Sequence, residues 1–479
     1  MKKLLNTLFL LLLFNAISAH PWKPSHYVIV DTDGGVDDMK ALAMLLASPD
    51  VRVLAVTVSP GVLSADNAYL KVRCMLNGFY HEGLPVGINR ESRYVSENFQ
   101  VALQCQWGNE TGINASEASD AVSLIDEIFN IEKTKISFIC LGSMSTVFLA
   151  QRKSALFGAQ VKEIIWSADG ADDQKGFNYS IDKNASEKVL RQEILVKVVR
   201  SYNFGGKDFF DAGLVRSIQK INSVYAVKIG AFFNSDAAKN HKFSYSGTDE
   251  MAAIFLHYPG LFLNKTYGTV LDCTPADSAG LKESTLKILK GETVAKNQVV
   301  REMPEDPSFY FDDIKPAVSE IISKYGMDEW TSGVIANELH RHLGVFAIIG
   351  VKMGIRAREY FNTGVDEFRA ISFAGSTPPL SCMNDGLQVS TGATPGHGLL
   401  TVKDDAVLSA SAEFIYLNHK IRITLKPEIE KKILSELKEI NFVYGLDSNI
   451  YWELVRKNSI KYWRDLDRHE IFNIAEFSF

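Results

Sequence analysis

Tyr27-Val28-Ile29-Val30-Asp31-Thr32-Asp33-Gly34-Gly35-Val36-Asp37-Asp38 decides how the first part of this 479-residue chain is read. The apolar run Tyr27–Val30 has the composition of a buried strand. The eight residues after it hold four carboxylates around two glycines. Like charges at that density repel one another unless a cation neutralises them. A strand that delivers them to its carboxyl end has the arrangement of a hard-metal site. Asp37 and Asp38 fall in the first turn of a helix continuing through Met39 to Ala47, where the helix dipole favours negative charge. A single Asp before a helix is ordinarily an N-cap, but four in eight residues ask for more than capping. Two or three of these carboxylates are candidates to hold Ca²⁺ or Mg²⁺, and another to accept a proton from water.

Outward from this stretch the same alternation repeats. Val51-Arg52-Val53-Leu54-Ala55-Val56-Thr57-Val58 is a β-branched run ended by Ser59-Pro60-Gly61, and Asp66–Phe79 reads as a helix. Ile136–Leu141 predicts another buried strand, ended by Gly142, and Glu163–Trp166 a further one before Asp169-Gly170. Strand, turn and helix in succession predict an α/β fold with an open, mostly parallel, doubly wound sheet. Its ligand-bearing rim would collect the acidic cluster and the turns at Pro60-Gly61, Gly142 and Asp169-Gly170. A phosphatase of the haloacid-dehalogenase type also places an Asp-x-Asp pair after an apolar strand, but Asp37-Asp38 fits that pattern poorly.

The cluster, followed by Ala41-Leu42, resembles the N-terminal motif of the inosine-uridine preferring nucleoside hydrolases, which carry proline where this chain has Gly34. Leu54–Val58 resembles that family's second strand. Leu141-Gly142-Ser143-Met144-Ser145-Thr146 stands where the family has its Gly-Leu-Thr-Asn turn. Gly176-Phe177-Asn178-Tyr179-Ser180-Ile181-Asp182 resembles its sugar-binding Phe-Asn segment, and Thr248-Asp249-Glu250-Met251-Ala252-Ala253 its last metal carboxylate. The resemblance spans roughly residues 26–310. It implies a Ca²⁺ site formed by Asp33, Asp38, the Leu141 carbonyl and Asp249. It also implies Asp33 as the base that activates water, Asp37 as a catalytic and sugar-binding carboxylate, and Asn178 on the sugar. The chain departs from the pattern around the ribose. Pro60-Gly61-Val62 replaces a sugar-binding Asn, Gly176 replaces a Glu, and Thr248 replaces a frequent His. An earlier Asn is lost near Gly170, where Asp169 is the remaining substrate-binding candidate. The implied metal shell is intact and the implied ribose shell rebuilt. Each missing hydrogen bond removes about 1–3 kcal/mol, which moves specificity away from an unmodified ribonucleoside.

Glu302–Asp313, acidic and broken by Pro304 and Pro307, is the expected linker to a smaller α+β metal-binding domain over 320–479. There, Leu339-His340-Arg341-His342-Leu343-Gly344 sets two histidines at i and i+2. On a helix these point about 200° apart, so they share a metal only near a helix end or in a loop. With Cys382-Met383-Asn384-Asp385-Gly386-Leu387-Gln388 and Gly392-Ala393-Thr394-Pro395-Gly396-His397-Gly398, this resembles a domain family named after formylmethanofuran dehydrogenase, over roughly 325–475. The resemblance implies a second metal, Zn²⁺ or another transition ion, on His340, His342 and Cys382, with Asp385 and His397 as further candidates. The family's second Cys is Ala393 here. The tail Tyr451–Phe479, with Trp452, Tyr462 and Trp463, is expected to be an amphipathic helix.

Composition fits a soluble globular protein with 46% hydrophobic and 23% charged residues, and a net charge of −6 with no basic tract argues against a nucleic-acid partner. Lys2-Lys3, an apolar Leu4–Phe14 and Ala16-Ile17-Ser18-Ala19 predict a cleaved signal peptide over 1–19, too short to anchor in a bilayer, and hence a periplasmic or secreted protein. Five scattered cysteines without CxxC spacing form no disulfide framework. The expectation is an exported Ca²⁺-dependent hydrolase of N-glycosidic bonds acting on a small nucleoside or glycoside, with a homo-oligomer allowed. Two alternatives stand beside it: a non-catalytic periplasmic nucleoside or sugar binder, and an enzyme whose chemistry lies in the C-terminal metal domain.

Overall fold

The computed structural model describes residues 24–168, 176–293, 299–300, 302–404 and 407–477. The expected signal peptide and Asp169 lie outside them. The chain divides into two compact units, one of residues 24–305 with 357–363, the other of 306–356 with 364–479.

The first unit is built on nine strands: β1 His26–Thr32, β2 Val51–Val58, β3 Val86–Ile88, β4 Ser119–Asp120, β5 Ile136–Cys140, β6 Val161–Ser167, β7 Val196–Val199, β8 Phe262–Tyr267 and β9 Val270–Pro275. They lie in the order β4-β3-β2-β1-β5-β6-β7-β9-β8. All pairs are parallel except β8 with β9. Every residue of β2 and β5 is buried, as expected for a parallel sheet covered by helices on both faces. That is why these strands read as unbroken apolar runs rather than as alternation. The order reverses direction at β1, whose neighbours are β2 on one side and β5 on the other. Asp31 is level with Thr57 of β2 and with Cys140 of β5, so three strand ends and their turns share one rim. The predicted open α/β sheet is present.

The second unit carries a separate five-stranded sheet: β10 Arg369–Ser372, β11 Leu400–Val402, β12 Ser411–Tyr416, β13 His419–Leu425 and β14 Phe472–Phe477, in the order β11-β10-β12-β13-β14. Helices Met327–His340 and Met383–Thr391 belong to this unit, as does helix Val345–Phe361 up to Arg356. Helix Met383–Thr391 lies inside the Gly/Pro/Ser-rich stretch, whose composition does not announce it. Gly350 and Gly386 explain it: a Cβ on Gly386 would stand 2.0 Å from the Ala347 carbonyl oxygen, and one on Gly350 2.1 Å from that of Met383. Glycine is used here to let two helix backbones touch.

The expected single tail helix is corrected. Asn449–Asp465 is helical and buries Val455, Ser459, Tyr462 and Trp463, but Phe472–Phe477 is an edge strand antiparallel to β13. The helix stops at Asp465, and the hydrogen bonds of the last segment go to β13 instead. All five cysteines are free thiols. No helix among the described residues is long and apolar enough to cross a membrane.

Candidate active site and metal centres

The cavity at the β1 rim has a volume of about 570 Å³ and is lined by Asp33, Asp37, Asp38, Leu141, Asn178, Thr248 and Asp249, among others. The sequence separates these residues by more than 200 positions, and the sheet topology gathers them. Asp33 follows the end of β1. Asp37 and Asp38 sit in the first turn of helix Val36–Ala47, Leu141 follows β5, and Asp249 stands at the N-cap of helix Glu250–His257.

Carboxylate oxygens of Asp37, Asp38 and Asp249 lie within 4.8 Å of one another. Asp33 is only 1% exposed and neither of its carboxylate oxygens has a hydrogen-bond partner. Space for this side chain is made by glycine: a Cβ on Gly61 would stand 2.0 Å from Asp33 Oδ2, and one on Gly142 3.3 Å. Burial, with Asp38 and Asp37 adding like charge, holds the Asp33 carboxyl well above its ordinary range. Burial and the neighbouring Asp37 and Asp38 do the same to Asp249. Asp38 is pushed to about 6 by burial and by Asp37. Without a counter-charge the pocket favours protons, so a cation entering it competes with them.

Asp31 is not part of this group. Thr57 Oγ1 donates to its Oδ1 at 2.6 Å and Ser59 Oγ to its Oδ2 at 3.0 Å, and burial raises its carboxyl to about 7. It anchors the strand end beneath the cavity. The turn that separates it from Asp37 needs Gly34, whose φ of 80° is closed to proline, so this turn differs from one with proline there.

Several residues that position the carboxylates were not visible as such in the sequence. Thr32 Oγ1 donates to Asp38 Oδ1 at 2.6 Å, and the Asp33 N–H donates to the same oxygen at 3.1 Å. Thr248 Oγ1 donates to Asp37 Oδ2. The Thr248 N–H donates to Glu250 Oε2 at 3.0 Å, and Glu250 pairs with fully buried Lys40 at 2.7 Å. The Lys40 ammonium also donates to the Ser244 carbonyl at 3.1 Å and sits 4.2 Å from the Phe210 ring centre. Asn178 donates from Nδ2 to the carbonyls of Leu141, at 2.6 Å, and Ser167, at 3.1 Å. Its amide hydrogens therefore orient the Leu141 carbonyl, and the residue lines the cavity where a sugar contact was expected of it. The same cavity is also lined by Val62, Phe99, Val101, Ala102 and Phe177, with the rings of Phe99 and Phe177 edge to face.

An acidic trio beside an unpartnered buried carboxylate, at the switch point of a parallel sheet, agrees with a family-level match. The sequence model of the family described as inosine-uridine preferring nucleoside hydrolase matches residues 28–309, more than half of the chain. The chain belongs to this family. A relative from Oryza sativa subsp. japonica, named a probable uridine nucleosidase 2, is 25% identical over 255 residues, covering 49% of this chain and 72% of that protein. An inosine-uridine preferring nucleoside hydrolase of Leishmania major is 23% identical over 187 residues, covering 36% and 59%. Among solved structures, a plant nucleoside hydrolase superposes with a TM-score of 0.47 at 14% identity, over 56% of this chain and 99% of that one. The inosine-uridine preferring nucleoside hydrolase of Bacillus anthracis does so with 0.45 at 15%, over 55% and 99%. Within the family pattern, the rebuilt positions are now located: Val62 and Gly176 both line the cavity, and Thr248 holds Asp37.

The model of a second family, described as FmdE of the molybdenum formylmethanofuran dehydrogenase operon, matches residues 339–443, so the fusion read from the motifs is present. His340 ends helix Met327–His340, and Arg341 adopts a left-handed φ of 67°. That reversal brings the two histidine rings to 4.2 Å between centres, satisfying the helix-end condition that their spacing imposes. His340 Nδ1 pairs with Asp385 Oδ2 at 2.6 Å, while its buried Nε2 has no partner. A carboxylate on one ring nitrogen leaves the other as the lone-pair donor. Cys382 heads the helix that carries Asp385, and burial together with Asp385 pushes its thiol up to about 11. However, His340, His342 and Cys382 do not form a trio with ligand atoms all within 4.8 Å. His397 meets Asp366 at 3.2 Å and the Gly392 carbonyl at 3.0 Å.

Proposed function

We propose that this chain is an exported, Ca²⁺-dependent hydrolase that cleaves the N-glycosidic bond of a nucleoside or related N-glycoside. The observation that carries the reading is Asp33: a buried carboxylate with two unpartnered oxygens, in a cavity it shares with three further carboxylates. Those donors are all oxygen, the preference of a hard cation, and a buried charge cluster of this kind needs one. Asp33, Asp38, Asp249 and the Leu141 carbonyl would hold Ca²⁺, with Asp37 alongside. Bound Ca²⁺ supplies charge neutralisation and lowers the pKa of a water.

The chain's own groups do the rest. Asp33 accepts the proton of the attacking water. Asp37, fixed by Thr248 on Oδ2, keeps Oδ1 for a sugar hydroxyl. The carboxylates together stabilise the oxocarbenium-like sugar carbon as the bond to the base breaks. The apolar wall of Val62, Phe99 and Phe177 receives the leaving base, and because Val62 offers no hydrogen bond the sugar is gripped from the carboxylate side. Export rests on the N-terminal apolar run. In the second domain His340, His342 and Asp385 are the proposed core of a separate zinc-class centre, with Cys382 within the same neighbourhood.

Reducing-sugar release from a panel of nucleosides and N-glycosides tests the proposal. Calcium-dependent release by the wild type, with preference for a modified over an unmodified ribose, is the expected result. The losses at Val62 and Gly176 also favour a second reading, a binder without turnover. Saturable binding of a panel member with no sugar release at any calcium concentration would establish that reading instead. A subtler test is Gly61→Ala, which drives a methyl group into Asp33. It is expected to weaken calcium binding by about 10–100-fold in calorimetry, with little change in the far-ultraviolet circular dichroism.

A further inference from the structure

At the opposite end of β1 from the acidic cavity, three ligating side chains converge. His26 is the first residue of β1, Asp50 immediately precedes β2, and His257 is the last residue of helix Glu250–His257. One ligand atom from each lies within 4.8 Å of the other two. His26 Nε2 is 3.9 Å from Asp50 Oδ2, and the two imidazole rings meet edge to face with centres 5.6 Å apart. All three side chains are half-buried. His26 Nδ1 and His257 Nε2 are buried ring nitrogens without a hydrogen-bond partner. A buried polar nitrogen without a partner costs free energy, and each ring carries one; Asp50 Oδ1 accepts the Ser25 N–H at 2.9 Å, which leaves Oδ2, 3.9 Å from His26 Nε2, toward the rings.

We infer that His26, Asp50 and His257 form a site for a first-row divalent transition ion of the zinc class, separate from the oxygen-only site at the other end of the strand. Two imidazoles and a carboxylate are the ligand set such ions select over Ca²⁺, with nitrogen and oxygen at about 2.0–2.2 Å and a fourth position left for water. Donors within 4.8 Å of one another close onto an ion after small side-chain rotations. Burial lowers both imidazoles, His257 to about 4, so the rings are in the neutral form that ligates. The other nearby charges are already engaged: Glu163 is paired with Lys197 at 2.5 Å and Lys162 at 3.6 Å, leaving Asp50 as the carboxylate that faces the rings. The ion would tie the start of β1 to the end of helix Glu250–His257. The far ends of these same elements carry Asp33 and Asp249, so the site acts as a staple for the frame that spaces the catalytic carboxylates.

The test uses the full chain, stripped with chelator and held in saturating calcium so that the acidic cavity is occupied. Zinc alone is then titrated, with bound metal counted by elemental analysis and Co²⁺ substituted to report ligand field by visible absorption. Wild type is compared with His26→Gln, Asp50→Asn, His257→Gln and, to account for the second domain, the double variant His340→Ala/His342→Ala. The inference expects one zinc equivalent to be lost in each of the first three and kept in the double variant. It also expects a zinc-induced Tm rise of roughly 5 °C at a hundred-fold excess over Kd, present in wild type and absent in the three. Equal zinc stoichiometry and equal Tm rise in wild type, His26→Gln and Asp50→Asn would overturn it. Should His257→Gln fail to fold, the other two single variants decide, because their side chains lie at a strand start and a turn.

Discussion

Asp33→Asn is expected to lower nucleoside hydrolysis by about 10²–10⁴-fold, the range that loss of a general base produces, and at the same time to raise the Tm of the calcium-free protein. The two effects have one cause. In the calcium-free fold the Asp33 carboxylate is buried and faces Asp38 and Asp37, and the backbone N–H groups of Val62 and Gly35 that offset its charge do not reach hydrogen-bond geometry with either oxygen. A carboxyl whose folded pKa lies above its unfolded value contributes stability that is present at low pH and lost as pH rises through the folded pKa. Near neutrality the ionised form is a burden, and the isosteric amide removes it. With calcium present the order reverses, because the wild type gains binding energy that the variant does not. Thermal unfolding with and without calcium, beside initial rates of sugar release, reads both effects. A variant less stable than wild type in the absence of calcium would refute the assignment of Asp33 as an uncompensated site carboxylate.

Lys40→Met is expected to destabilise the first unit by about 3–5 kcal/mol, the cost of removing one member of a fully buried ion pair. Lys40 is 0% exposed and is the cation beside Glu250 at 2.7 Å. Its loss strands Glu250, whose carboxyl burial already raises to about 7. Glu250 Oε2 accepts the Thr248 N–H, and Thr248 holds Asp37, so the damage reaches the cavity. Lys40→Met/Glu250→Gln is expected to recover part of the loss, since removing both charges leaves none uncompensated. The calcium-responsive unfolding transition is the readout, and a Lys40→Met value within about 1 kcal/mol of wild type would contradict this account of the support beneath Asp37.

Much of the frame was legible in the sequence because parallel strands buried on both faces leave unbroken apolar runs. Val51–Val58 is a strand over the whole run read from its residues, and the runs at 27–30, 136–141 and 163–166 each mark a strand of the same sheet. The acidic cluster was legible because its charge density has few structural uses. What the sequence hid were partnerships between distant positions. Thr248 on Asp37, Lys40 on Glu250, and Phe99 in the same cavity lining as the carboxylates depend on which elements the sheet brings together, and no local spacing encodes that. Asp31 was hidden in another way: it shares the cluster's charge but hydrogen-bonds Thr57 and Ser59, because it lies within β1 level with Thr57 of β2, whereas Asp33 stands past the strand's end. Asn178 sits beside the cavity as expected while spending its amide on two carbonyls. The His340–His342 pair was readable as conditional on a helix end, and the left-handed Arg341 supplies that end.

The central claim is that the Asp33, Asp37, Asp38 and Asp249 cavity binds calcium and uses it to hydrolyse an N-glycosidic bond. Reducing-sugar release by the chelator-stripped full chain, followed across a calcium titration, tests it most directly. The account predicts no release in chelator and a saturable return of activity as calcium is added. Release that is unchanged in chelator would contradict it.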